Sequence, residues 1–148
     1  MTKALIAFGS TTGNTAQVAD WVFEALGEKG LEVKLEDCAA AAAGGLCDTY
    51  DLIVLGSPTY GDDPIEIQED FEPILDSLEE TGISGKKVAV FGCGDSSYFH
   101  FCGAVDVIEK RVRECGGELV VDSLKIDDPH FDHEDEIRTW AAQVASAA

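Results

Sequence analysis

Four short apolar runs, at residues 4–8, 52–55, 88–91 and 119–121, recur along the chain with longer periodic stretches between them. An apolar run without polar alternation suits a strand buried on both faces, and such strands belong to parallel sheets. Residues 31–35 differ: Leu31, Val33 and Leu35 alternate with Glu32 and Lys34, the pattern of a strand nearer an edge. Among the intervening stretches, 16–27 places Val18, Val22, Ala25 and Leu26 on one helical face, with Gly30 as an end signal. Residues 67–78 repeat Ile67, Phe71, Ile74, Leu75 and Leu78, with Pro73 marking a helix start or a kink. Further helices are expected at 105–115 and 134–145, and a short helix plus loop at 38–49, where five alanines precede Gly44 and Gly45. Strand and helix alternate through all 148 residues, so one domain is expected, a doubly wound α/β sheet with right-handed crossovers.

Ligands of such sheets sit beyond the carboxyl ends of the strands, where the strand order switches. Three loops meet that description, at 10–15, 57–64 and 93–102, and they concentrate glycine, hydroxyl and aromatic residues. The first, Ser10, Thr11, Thr12, Gly13, Asn14 and Thr15, sets four hydroxyls and an amide between a strand and a helix start. A helix start presents free N–H groups and about half a positive charge, and it binds anions. No Lys is present, which excludes the triphosphate loop GxxxxGK[ST], and the spacing of GxGxxG is absent. What remains is a cradle for one phosphate of a mononucleotide-like ligand. The alternative is a helix cap with no ligand, a role that one Ser or Thr fills.

The second loop reads Ser57, Pro58, Thr59, Tyr60, Gly61, Asp62, Asp63; the third runs from Cys93, Gly94 and Asp95 through Tyr98 to Phe101 and Cys102. Tyr60 and Tyr98, on separate loops beside a phosphate cradle, suggest a planar ring held between two aromatics. Packing onto the core is the alternative for loop aromatics, and it is the expectation for Phe99 or Phe101.

Charge narrows the partners. Twenty-nine acids against ten bases give a net charge of −19, which repels nucleic acid and anionic membranes and steers toward basic protein surfaces. The five cysteines contain no CxxC pair, so reduced, mostly buried thiols of a cytoplasmic protein are expected rather than disulfides or a metal site. The N-terminal segment is too short for a signal peptide, and no apolar run reaches membrane-spanning length. His130 and His133 stand three apart with no evident third ligand and read as solvated loop residues.

The segments GSTTGNT, PTYGDD, GCGDSSYFHFCGAVD and LKID resemble the short-chain flavodoxins, especially those of sulfate-reducing bacteria. The likeness covers essentially the whole chain, keeps the spacing between the loops, and lacks the insertion in the last strand that marks long-chain members. It implies a five-stranded parallel sheet of order 2-1-3-4-5 with helices on both faces, and a non-covalently bound FMN. The phosphate would lie at residues 10–15 and the isoalloxazine between Tyr60 and Tyr98. Cys93, Gly94, Asp95 and Cys102 would meet the ring's polar edge, largely through backbone atoms, with Ser57, Pro58, Thr59, Gly61, Asp62 and Phe101 completing the cofactor-binding set. Two departures stand out: many relatives carry Trp at the place of Tyr60 and Ser at that of Pro58, where Thr59 offers a substitute hydroxyl.

The acids Asp62, Asp63, Glu66, Glu69, Asp70, Glu72, Asp76, Glu79 and Glu80 form a segment without Lys or Arg that starts at the ring loop. A carboxylate roughly 10 Å from an anionic hydroquinone opposes it by about 0.4–0.8 kcal/mol, or roughly 20–35 mV. Several together would lower the second potential by on the order of 100 mV after screening. The expectation is a low-potential, monomeric one-electron carrier cycling between semiquinone and hydroquinone, with redox proteins bearing basic docking surfaces as partners and no substrate of its own. Gly61, whose peptide turns either way at little cost, is the residue expected to separate the two steps. His100 is expected to favour the reduced flavin when protonated. A quinone reductase on the same fold is the rival reading, and a phosphoacceptor domain is disfavoured because Ser10, Thr11 and Thr12 stand where acids would hold magnesium.

Overall fold

The computed structural model describes residues 2–10, 13–58, 67–94, 102–127 and 130–148, with backbone only at 130 and 131. Its centre is a parallel sheet. β1 (Lys3–Phe8) lies between β2 (Glu32–Asp37) and β3 (Leu52–Pro58), β3 pairs with β4 (Lys87–Gly94), and β4 pairs with both β5 (Glu118–Leu119) and β6 (Leu124–Asp127). The order is thus 2-1-3-4-5, as the family resemblance implied, and β2 lies at an edge as its alternating pattern indicated.

Alternation along the strands explains burial on both faces. Ala4, Ile6 and Phe8 of β1, Leu52 and Val54 of β3, and Ala89, Phe91 and Cys93 of β4 pack beneath α1 (Asn14–Glu28) and α4 (Glu134–Ala147). Leu5, Ala7, Ile53, Leu55, Val88 and Val90 face the other way, toward α2 (Glu72–Asp76) and α3 (Gly103–Glu114). Each fully buried aliphatic or aromatic side chain contributes roughly 1.5–3 kcal/mol by leaving water, so two cores share one sheet. Arg138 links α4 to α1, donating to Glu24 at 2.8 Å and to Glu134 at 2.9 Å. Helix α1 ends as expected at Gly30, whose N–H reaches Gly27 O while Leu31 N reaches Leu26 O, the paired bonds of a Schellman cap.

Three expectations need correction. The helix expected over 67–78 is confined to Glu72–Asp76, followed by a 3-10 turn at Leu78–Glu80. Pro73 lies in the first turn of the helix, where a missing N–H costs nothing, and the buried Gln68 closes the preceding turn with its side chain. The short helix expected over 38–49 reduces to one 3-10 turn at Cys38–Ala40, capped by Asp37 Oδ1 accepting from Ala39 N at 2.9 Å. Gly45 N and Cys47 N instead donate to Glu80 O and Thr81 O, at 3.0 and 2.7 Å, and these distant bonds override the helix propensity of the alanines. The last strand, expected at 119–121, is split. β4 advances three residues from Val88 to Phe91 while its neighbour advances five, from Leu119 to Leu124. The excess leaves the ladder as a bulge whose Asp122 O accepts from Trp140 Nε1 at 2.9 Å.

Candidate functional site

All strands run parallel, so the carboxyl ends of β1, β3 and β4 lie side by side. Phe8 is in register with Gly56, Ser57 with Gly92, and Pro58 with Cys93. Gly9 N continues the β1 ladder by donating to Gly56 O at 3.0 Å. The three loops singled out in the sequence therefore leave one sheet edge from adjacent strands, each about 4.8 Å from the next. Helix α1 follows β1 onto one face and α2 follows β3 onto the other, which places the edge between β1 and β3 at the topological switch.

The start of α1 is where the chemistry is clearest. Gly13, at φ +93°, occupies the N-cap, a left-handed conformation that costs glycine nothing, and having no side chain it supplies no cap of its own. The intrahelical ladder opens with Gln17 N donating to Gly13 O, so the N–H groups of Asn14, Thr15 and Ala16 stand outside it. Ser10 Oγ accepts from Gly13 N at 3.1 Å and closes the turn. Among the described residues, neither Ser10 nor Thr15 accepts from the N–H groups of Asn14, Thr15 or Ala16. Thr15 is 1% exposed, and among the described residues its Oγ1 has no hydrogen-bond partner. A buried hydroxyl without a partner costs about 1–3 kcal/mol, a cost that an anion acceptor at the helix start would remove.

The other two loops are described at their ends. Ser57 is fully buried with Oγ donating to Pro58 O at 2.9 Å, while Pro58 is half-buried. The side chain of Cys93 packs in the core with residues of α1 and α4. Gly94 lies against Cys102: a Cβ on Gly94 would come 3.0 Å from Cys102 Sγ. Cys102 itself adopts φ +51° at the start of α3, its thiol donating toward Gly92 O and Ile126 O at 3.7 Å. Thr11, Thr12, Thr59, Tyr60, Gly61, Asp62, Asp95, Tyr98, His100 and Phe101 lie outside the described residues.

The acidic segment is less uniform than its sequence. Glu69, Glu72, Asp76, Glu79 and Glu80 are exposed, but Arg111 of α3 reaches the far end. Its guanidinium donates to Leu75 O and Asp76 O and pairs with Glu79. The main-chain amide of Glu79, ahead of Arg111, holds the Glu79 carboxyl below its ordinary value. Among the described acids of the segment, compensation by a base thus falls on Glu79, near its far end. Sequence reasoning also passed over Gln68, which lay inside the expected 67–78 helix; the structure buries its amide completely.

A family model described as Flavodoxin matches residues 6–140. The chain belongs to the flavodoxin family. It is 48% identical over 147 residues to the flavodoxin of Nitratidesulfovibrio vulgaris strain Miyazaki F, covering 99% of both chains. To the flavodoxin of Maridesulfovibrio salexigens it is 47% identical over 146 residues, covering 98% of each. Among solved structures, oxidised flavodoxin 1 from Bacillus cereus matches with a TM-score of 0.90 and 28% identity over 99% of both chains. The strand order described above is that of a flavodoxin.

Proposed function

We propose that this flavodoxin is a cytoplasmic, monomeric one-electron carrier that holds FMN non-covalently at the carboxyl edge of its sheet and has no substrate of its own. The observation that carries the cofactor assignment is the uncapped start of α1 beside the unpartnered, buried Thr15 hydroxyl. Bound FMN supplies the redox chemistry, accepting and releasing single electrons.

The residues of the chain bind and tune. Asn14, Thr15 and Ala16 offer N–H groups, and Thr15 with Ser10 offers hydroxyls, to a phosphate dianion without any neutralising Lys. Binding then rests on hydrogen bonds and the helix dipole, so the site stays net acidic. Tyr60 and Tyr98 are the proposed covers of the ring, and Gly61 the proposed backbone acceptor beside it. The exposed carboxylates after the second loop oppose extra negative charge at the site, which makes this a low-potential carrier working between its one-electron-reduced and fully reduced forms. The same carboxylates form the surface that meets basic redox partners. Among the described residues no helix is long and apolar enough to cross a membrane.

The test is direct. Purified protein should be yellow, or turn yellow on addition of FMN with a micromolar or lower Kd, and should not be bleached by NADPH alone. Colourless protein that refuses FMN ends this reading, and rapid bleaching by NADPH transfers it to the reductase class.

A further inference from the structure

Gln68 is fully buried, and every part of its side-chain amide is engaged. Its Oε1 accepts from Asp70 N at 2.9 Å and Phe71 N at 3.0 Å, and its Nε2 donates to Asp70 Oδ2 at 2.8 Å. The amide cannot flip, because that would face two N–H donors with a third. It rests against Gly9: a Cβ built on Gly9 would lie 2.1 Å from Gln68 Oε1 and 3.0 Å from both Gln68 Cδ and Phe71 Cβ. Gly9 is pinned from the other side by its bond to Gly56 O. The next residue, Ser10, accepts from Gly13 N, and Gly13 begins α1. One line of contacts thus runs from Gln68 through Gly9 and Ser10 to the helix start.

We propose that Gln68 is a positioning residue for the phosphate cradle, fixing the turn at Gly9 and Ser10 against the turn that precedes α2, so that the preference for FMN over riboflavin passes through this amide. The inference rests on the cofactor reading above. A buried side chain that holds two backbone donors and abuts a glycine with no spare volume transmits displacement rather than absorbing it.

Titration of the apoprotein with FMN and with riboflavin, each followed by flavin fluorescence, tests this in the wild type, Gln68→Ala, Gly9→Ala and the double variant Gly9→Ala/Gln68→Ala. The single variants should lose about tenfold or more in FMN affinity while riboflavin affinity changes little. In the double variant the methyl group added at Gly9 enters the volume that Gln68 vacates. Its FMN-to-riboflavin ratio should therefore fall by clearly less than the product of the two single-variant losses. The double variant also serves as the control for folding, checked by circular dichroism. Equal losses for both flavins, unchanged ratios, or multiplicative losses in the double variant would overturn the role of Gln68. A wild-type chain that binds neither flavin would refute the cofactor reading, and this inference with it.

Discussion

At Thr15 stability and binding are set against each other. The hydroxyl is buried and unpartnered, so Thr15→Val, which keeps the shape, should stabilise the apoprotein by about 1 kcal/mol in urea unfolding. The same change should weaken FMN binding by roughly ten- to a hundredfold, the worth of a hydrogen bond to a charged group. A variant that binds FMN as tightly as the wild type would show that this hydroxyl does not meet the phosphate. Cys38 makes a second residue-scale case. Burial first, then the nearby Asp37, Asp70 and Glu36, pushes its thiol from 9.0 up to about 12. The folded state therefore holds the proton more tightly than the unfolded chain does. Stability from this group is intact below pH 9 and drains away as pH rises from 9 toward 12, by as much as about 4 kcal/mol. Cys38→Ala should move the alkaline unfolding midpoint to higher pH, read by circular dichroism.

At the scale of elements, the bond from Trp140 Nε1 to Asp122 O fastens α4 to the bulge between β5 and β6. Trp140→Phe keeps most of the ring that packs edge-on against Phe91 but strands the Asp122 carbonyl. It should cost about 1–2 kcal/mol in urea unfolding, with exchange protection lost first at residues 118–127. The elements also show why some of the fold was legible and some not. Residues 4–8 and 88–91 read as strands because a strand buried on both faces needs unbroken apolar sequence, a local property. Residues 39–43 read as helix for an equally local reason, the propensity of alanine. They do not form one because Gly45 and Cys47 bond to residues some thirty-five positions away. The hydroxyl loop at 10–15 was conspicuous because its composition exceeds what a helix cap needs. Gln68 was not, since its task is defined by Gly9, a residue it meets only in the folded chain.

For the molecule as a whole, charge dominates. With a net −19, the folded chain repels itself, so moderate salt should raise the urea midpoint, and a scan from low to high ionic strength checks this. Electron transfer to a basic partner should slow over the same range, by roughly ten- to a hundredfold in the second-order rate measured by stopped flow. A rate indifferent to salt would remove the acidic face from the docking surface. The periodicities of this chain, its lysine-free hydroxyl loop and its acidity were readable one residue after another, because pleat, helix turn and charge are properties of short stretches. The split of the last strand, the loss of the helix expected over 38–49 and the pairing of Arg111 with Glu79 emerged from the folded chain alone. Each depends on groups far apart in sequence, whose hydrogen bonds and excluded volume exist once the sheet has brought them together.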